Sequence, residues 1–318
     1  MMIKRVLVVY KKSSFQLYVK VKGDDSLQRA LSRGDPVAQR MLDSHDTLQR
    51  SAEKLERSLA ARSIEFVSRW RGRIRSTRGF DLVISLGGDG TLLETAHWLG
   101  SCPLLGINSD PTNSVGELCA GTADEIDQIL DALLADKIAI TPRTRMQVCV
   151  DGQSVLGPVL NDLLIAERSP ADMARFQLTV MPQADIAQKD ATQILELSSH
   201  TQSWHEVRSS GLWIATATGS TAGIRSAGGE KRSHVSTDLQ YLVREHYAPP
   251  SLPRAERIHG FLETDETLVL ISRMRSACVW ADGPHRKVRV RYGQVVSVED
   301  SAPPLLLVGT FQDRSQLT

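Results

Sequence analysis

The sequence predicts two folded parts: an α/β domain with an open, mostly parallel sheet over residues 1–140, and an all-β domain, a β-sandwich, over residues 141–303. Residues 304–318 are expected to return to the first domain. Three observations carry this. Before Thr141, apolar strand-like segments alternate with segments of helical spacing, the pattern of an open α/β sheet. After it, strand-like segments follow one another almost without a helix. A chain of 318 residues suits two domains of about 100–200 residues each.

The elements follow in order. Val6–Tyr10 is a short apolar run behind two basic residues, too short for a secretory core, and reads as a buried first strand, Arg5–Tyr10. A polar, charged stretch runs on to about Arg62. Within it Leu48, Ala52, Leu55 and Leu59 recur at three- and four-residue steps, an amphipathic helix that Asp46 or Thr47 would cap. "IEFVSRW" is a strand. The arginines 69, 71, 73, 75 and 78 that follow read as a solvated loop, with a phosphate-facing patch as the alternative. "FDLVISL" is apolar except at its ends, as a central parallel strand covered on both faces would be. A helix is expected over Leu92–Leu99, a strand in "PLLGINS", and a helix in "TADEIDQILDALLADK", where Thr122 and Glu125 have capping-box spacing. Beyond Thr141, "RMQVCV", "QSVLGPVLNDLLIAE", "FQLTVMP", "TQILELSS", "WHEVRSSGLWIATA", "ETLVLISRM", "ACVWAD" and "KVRVRYGQVVSVE" all read as strands, with one helix near Ser220–Gly228.

Composition excludes several classes. With 41% hydrophobic and 24% charged residues the chain is ordinary for a soluble globular protein. A net charge of +1 gives no general reason to expect nucleic acid or a membrane as partner. No apolar run reaches the roughly 18 residues of a membrane span. Cys102, Cys119, Cys149 and Cys278 stand far apart, which points to reduced, mostly buried thiols, no structural zinc and a cytoplasmic setting.

The chemistry concentrates in a few stretches. Gly87-Gly88-Asp89-Gly90-Thr91 lies between the end of a buried strand and a helix start, the edge where open α/β sheets bind ligands. Glycines let backbone N–H groups approach an oxyanion, and a helix N-terminus adds donors and a partial positive charge. Asp89 among them is either a helix cap or a group that acts beside phosphates, as a general base or an Mg²⁺ ligand. The P-loop and dinucleotide glycine signatures are both absent. A second loop of this kind, Thr216, Thr218, Gly219, Ser220 and Thr221, suits adenine and phosphate contacts, and two such loops in two domains suggest a cleft. Asn161-Asp162 lies in an otherwise apolar stretch. Such a pair is costly to bury unless hydrogen-bonded, so it is a satisfied polar pair or it faces sugar hydroxyls. Asp282-Gly283 is a turn first and a ligand contact second.

"LGGDGTLL", "LLGINSD", "LNDLLIA", "RSSGLWIATATGSTAGIRSAGG" and "WADG" resemble, in order and spacing, the NAD kinase family, over about Asp81 to Asp300. "NSDPT", "GELCAGT" and "DLQYLVRE" look like its plant-type NADH kinase branch. The resemblance implies an NAD kinase-like fold and transfer of the ATP γ-phosphoryl group to the adenosine-ribose 2′-hydroxyl of NAD or NADH, with Mg²⁺. It implies Asp89 as catalytic base. It implies that Gly87, Gly88, Gly90, Thr91, Asn108, Asn161, Asp162, Thr216, Thr218, Gly219, Ser220, Thr221 and Asp282 bind the substrates. It also implies a homo-oligomer. Two departures stand out: Ser210 replaces a usual carboxylate, which would remove a charge and admit NADH, and Gly223 replaces a usual aromatic. A lipid kinase of the diacylglycerol kinase type and a non-catalytic dinucleotide sensor are the alternatives.

Overall fold

The computed structural model describes residues 2–200, 203–247 and 259–309. The chain divides into two units, one of residues up to Pro142 together with those from Leu305 onward, the other Arg143–Pro304. Of the expected returning segment, residues 310–318 lie outside the described residues.

The first unit contains β1 (Arg5–Tyr10), α1 (Asp25–Ser32), α2 (Pro36–Ala61), β2 (Glu65–Trp70), β3 (Leu82–Leu86), α3 (Asp89–Ala96), β4 (Leu104–Asn108), β5 (Gly121–Thr122) and α4 (Ile126–Leu134). Its strands run parallel in the order β4-β3-β1-β2. On the far edge of β4, Leu307 and Val308 pair with Leu104 and Leu105, and β5 pairs with Ile107 and Asn108. Every residue of β3 and β4 is buried, as their unbroken apolar runs require. The chain lays β2 on one side of β1 and β3 on the other, so the topology reverses between β1 and β3. Ligand crevices form at the carboxyl ends of strands at such a reversal.

The polar stretch after β1 is helical, and α2 begins well before Asp46 and Thr47. The cap is Asp35, whose side chain accepts the N–H groups of Val37 and Ala38 at 2.9 Å, with Pro36 in the first turn. Asp46 and Thr47 lie inside the helix, because a proline start with a capping aspartate outweighs a polar residue in mid-face. The expected stripe is real: Leu48, Leu55 and Leu59 are buried, with Ala52 packed against the same core. Thr122 and Glu125 form the expected capping box, opening one turn of 3₁₀ helix ahead of α4.

The second unit holds most of β6 (Ile140–Val150), then β7 (Gln153–Val159), β8 (Asp162–Glu167), β9 (Ala174–Pro182), α5 (Gln183–Ala187), α6 (Ala191–His200), β10 (His205–Ser209), β11 (Gly211–Ala215) and α7 (Gly223–Ser226). There follow β12 (Leu239–Arg244), β13 (His259–Leu262), β14 (Glu266–Ser272), β15 (Ala277–Ala281), β16 (Arg286–Val290) and β17 (Val295–Val308), which crosses into the first unit at Leu305. One antiparallel sheet runs β13-β12-β11-β8-β15-β16, and the other runs β10-β9-β14-β17 with β6 beside β17 and β7 beside β6. Leu163, Ile165, Leu212, Ile214 and Val279 from the first meet Phe176, Leu178, Leu268, Leu270 and Val296 from the second in one core, which makes the unit a β-sandwich.

Four strand expectations change here, one of them "KVRVRYGQVVSVE", which breaks into β16 and β17 over residues 291–294, the two strands joining different sheets. "TQILELSS" is helix α6, not a strand, so the second unit has more than the one helix expected. Asp190 and Gln193 cap it reciprocally, each side chain accepting the other's N–H at 2.9 and 3.0 Å. Its Ile194 packs on Val269 and Ile271 of β14, whose neighbours Leu268 and Leu270 face the sandwich core. "QSVLGPVLNDLLIAE" breaks into β7 and β8 at Leu160-Asn161, and "WHEVRSSGLWIATA" into β10 and β11 at Ser210, each strand joining a different sheet.

Candidate functional site

In the first unit the site grows from the end of β3 at the topological reversal. Gly87 donates its N–H to the Ile107 carbonyl at 3.0 Å, tying the loop to β4. Gly88 is the N-cap of α3, so the helix opens at Asp89 rather than near Leu92. The three glycines have different reasons to be glycine. A Cβ on Gly87 would run into the Thr91 hydroxyl, and one on Gly88 into the Ser114 hydroxyl. A Cβ on Gly90 would meet nothing within 4 Å, and Gly90 is exposed. Packing within the chain therefore demands the first two and leaves the third to whatever approaches from outside.

Asp89 is the first residue of α3, not its cap. Its Oδ2 accepts the Glu117 N–H at 3.1 Å and its Oδ1 the Leu118 N–H at 2.9 Å, so the loop after β4 fixes the carboxylate in place. A carboxylate has about four acceptor positions, so capacity for a further donor remains. Thr91 is buried and packs over Gly87. Asn108 ties the same loop: its amide donates to the Ser114 carbonyl at 2.8 Å and accepts the Asp110 N–H at 3.2 Å. Asp110, which the sequence reading passed over, is buried and accepts the Ser44 hydroxyl at 2.6 Å and the Asn113 amide.

In the second unit, Asn161-Asp162 forms a corner at the start of β8, not the middle of a strand. The Asn161 carbonyl accepts the Thr216 N–H at 3.0 Å, and the Thr216 hydroxyl donates to the Leu160 carbonyl at 2.5 Å. The Gly219 N–H donates to that hydroxyl at 3.2 Å, and a Cβ on Gly219 would collide with the Asn161 backbone. Ser220 is fully buried, donating to the Ala217 carbonyl at 2.7 Å and accepting the Arg232 N–H at 2.9 Å. Thr216, Gly219 and Ser220 thus build the corner. Three groups keep acceptor or donor capacity there. The side-chain oxygen of Asn161 is buried without a partner, and the hydroxyl of half-buried Thr218 has none among the described residues. The Asp162 carboxylate is buried and takes a hydrogen bond from Gly223. Thr221 is half-buried beside Gly223.

Asp282, expected as a turn residue first and a ligand contact second, serves the turn. At its left-handed turn (φ 48°) the carboxylate points inward and accepts three backbone N–H groups: Leu160 at 3.0 Å, Asn161 at 2.6 Å and Asp162 at 3.2 Å. It positions the corner. Burial pushes its carboxyl up to about 6, against the pull of those N–H groups and of Arg145. Burial, and then the Asp282 charge, push Asp162 up to about 6 as well, with the Gly223 N–H acting the other way.

Two features answer the departures. The Ser210 hydroxyl donates to the Glu245 carboxylate from the end of β12, so an acid stands beside Ser210 after all. A Cβ on Gly223 would lie 2.8 Å from the Trp213 ring, so the half-buried indole occupies the place a side chain at 223 would take. Neither partner is legible in the sequence: Ser210 meets Glu245 through the register of β11 with β12, and Gly223 meets Trp213 where α7 packs on β11. In the Arg-rich stretch, Arg71 pairs with Glu94 at 2.8 Å, while Arg69, Arg73, Arg75 and Arg78 are exposed.

A family model described as the ATP-NAD kinase N-terminal domain matches residues 2–138. A probable NADH kinase of rice is 32% identical over 79% of this chain and 78% of its own length. An NADH kinase of Arabidopsis thaliana is 30% identical over 75% and 77%. Among solved structures, an NAD kinase from Archaeoglobus fulgidus in complex with ATP superposes with a TM-score of 0.65 over 98% of this chain and 96% of that one, at 19% identity, which speaks to fold alone. With a relative above 30% identity across more than three quarters of both chains, this chain belongs to the NAD kinase family.

Proposed function

We propose that this chain transfers the γ-phosphoryl group of ATP to the 2′-hydroxyl of the adenosine ribose of NAD or NADH, giving NADP or NADPH. The observation that carries the proposal is Asp89: a carboxylate held by two loop N–H groups, beside an exposed glycine, at the reversal point of a parallel sheet. Its family membership and the names of its relatives, NAD and NADH kinases, support the choice of substrates.

In this reading the ribose hydroxyl gives its proton to Asp89, its oxygen forms the new bond to the γ-phosphorus, and the bond from that phosphorus to the bridging oxygen breaks with ADP leaving. Such transfers depend mostly on positioning and charge stabilisation, so the chain has little covalent work to do. Gly90 and the opening N–H groups of α3 take phosphate oxygens, and the packing of Gly87, Gly88 and Thr91 shapes that loop. Asn108 holds the loop that holds Asp89. Asn161 and Asp162 present acceptors suited to hydroxyl and amino donors of a dinucleotide, with Thr218 beside them and Thr221 on the same turn. Thr216, Gly219, Ser220 and Asp282 keep the corner in shape.

Mg²⁺ fits this arrangement as a companion of the nucleotide. No cluster of three metal-ligating side chains occurs among the described residues, and Mg²⁺ at phosphates needs only one or two carboxylates. Phosphate oxygens and waters would make up most of its shell, with Asp89 meeting the ion through a water so that its carboxylate stays free for the hydroxyl proton. When bound, the ion would offset charge on the transferring phosphoryl group.

The test is to incubate the pure protein with Mg-ATP and either NAD⁺ or NADH, then read NADP(H) with an NADP-specific dehydrogenase. Product from neither acceptor refutes the proposal. The expected homo-oligomer is read by sedimentation velocity on the same preparation. No helix among the described residues is long and apolar enough to cross a membrane.

A further inference from the structure

The second sheet of the β unit carries an arrangement that the proposed reaction does not use. In the register of β10 with β9, Arg208 stands directly opposite Arg175. In the register of β9 with β14, Ser272 stands opposite Phe176, and the next residue, Arg273, donates its N–H to the Arg175 carbonyl at 2.9 Å. Arg208, Arg175 and Arg273 therefore form one row across three strands. Their neighbours Val207 and Phe176 point into the sandwich core, so the arginines lie on the opposite, outer face.

Like charges directly opposite on paired strands destabilise a sheet. Among the described residues nothing relieves this row: none of the three arginines has a carboxylate within ion-pair distance. Glu206 lines the same groove and pairs with none of them. Arg273 instead donates to the Gln177 side chain at 2.7 Å and lies 5.6 Å from the centre of the Tyr292 ring. The groove so formed measures about 460 Å³.

We infer that this groove binds an oligophosphate, the row of three guanidinium groups gripping successive phosphates. Three features point there. Arginine forks match phosphate oxygens bidentately, which lysines cannot do. Strands sit about 4.8 Å apart, so the row spans roughly 10 Å, a length suited to linked phosphates rather than a lone one. The concentration of charge is local, since the whole chain carries only +1. The phosphates could be those of a nucleotide triphosphate or of inorganic polyphosphate.

The experiment titrates inorganic tripolyphosphate, ATP and orthophosphate calorimetrically into the full chain and into a variant with Arg175→Gln, Arg208→Gln and Arg273→Gln. The triple variant should lose one class of tripolyphosphate site, with affinity at least tenfold weaker, while NAD(H) kinase activity stays within twofold. An equal loss for ATP supports a site that reads phosphates alone, and an ATP loss larger than the tripolyphosphate loss supports the nucleotide as source. Tripolyphosphate affinity equal in the two proteins overturns the inference, as does orthophosphate binding as tightly as tripolyphosphate. A variant that changes sedimentation while binding the anion normally also overturns it, in favour of an interface between copies. Should the triple variant fail to fold, Arg175→Gln alone serves. Its Tm should exceed the wild type's without anion, and tripolyphosphate should raise it less. A lower Tm with an undiminished anion response overturns the inference too.

Discussion

Asp282→Asn tests how the dinucleotide corner is held. In the wild type, Oδ1 accepts the N–H groups of Asn161 and Asp162, and Oδ2 accepts that of Leu160. An amide oxygen in the Oδ1 place keeps two of these bonds and turns an NH₂ toward the third donor. One buried N–H left unpaired costs about 1–3 kcal/mol. Against this, the variant no longer buries a charge. The wild-type carboxyl is raised from 3.8 to about 6, a difference worth roughly 3 kcal/mol between its protonation states. Because the folded value is raised, its stabilising contribution is complete below about pH 4 and is lost as the pH rises through about 6. Asp162 has the same sign and the same window. Wild-type stability should therefore fall between pH 4 and pH 6. In the variant less than half of that fall should remain, since Asp162 also escapes the neighbouring charge. Urea unfolding at pH 4 and pH 8 measures both slopes. Steady-state kinetics should show KM for NAD(H) rising several-fold with KM for ATP unchanged. Identical pH slopes in the two proteins, or a KM for ATP that rises as far as that for NAD(H), would refute the reasoning.

Asp89→Asn should lower kcat by about 10²–10⁴, the usual range for loss of a general base, and cost at most about 1–3 kcal/mol of stability, since the amide oxygen still accepts the Leu118 N–H while the NH₂ faces that of Glu117. A near-normal kcat would remove Asp89 from its role. Gly90→Ala should leave the urea midpoint almost unmoved but raise KM for ATP, whereas Gly88→Ala should destabilise by about 1–3 kcal/mol through its clash with Ser114. Equal stability effects at the two positions would contradict the division of roles among the glycines. Glu245→Gln removes the carboxylate beside Ser210, and should shift the NADH-to-NAD⁺ ratio of kcat/KM severalfold toward the uncharged nicotinamide. An unchanged ratio would show that this acid does not face the nicotinamide.

Periodicity made much of the fold readable. Runs such as Leu82–Leu86 have only one stable home, a strand covered on both faces. Helix α6 shows the limit. Its Thr-Gln-Ile-Leu-Glu-Leu alternates well enough for a strand, and only the Asp190–Gln193 cap and the apolar patch on β14 decide for helix. The start of α2 is hidden for a related reason, since Asp35-Pro36 is local chemistry that apolar spacing does not register.

For the candidate site, the sequence by itself determined which residues carry reactive groups and which loops they sit on. Asp89 among glycines, the Asn161-Asp162 pair and the Thr-rich turn are all covalently local features. Tertiary structure alone decided what each group does. Asp89 is steered by N–H groups of Glu117 and Leu118, Asp282 spends its carboxylate on a corner far off in the chain, and Ser210 and Gly223 find their partners in Glu245 and Trp213. Hydrogen bonds and steric contacts depend on distance in space, and separation along the chain sets no limit on which residues meet. A motif can therefore name its chemistry without naming the neighbours that direct it.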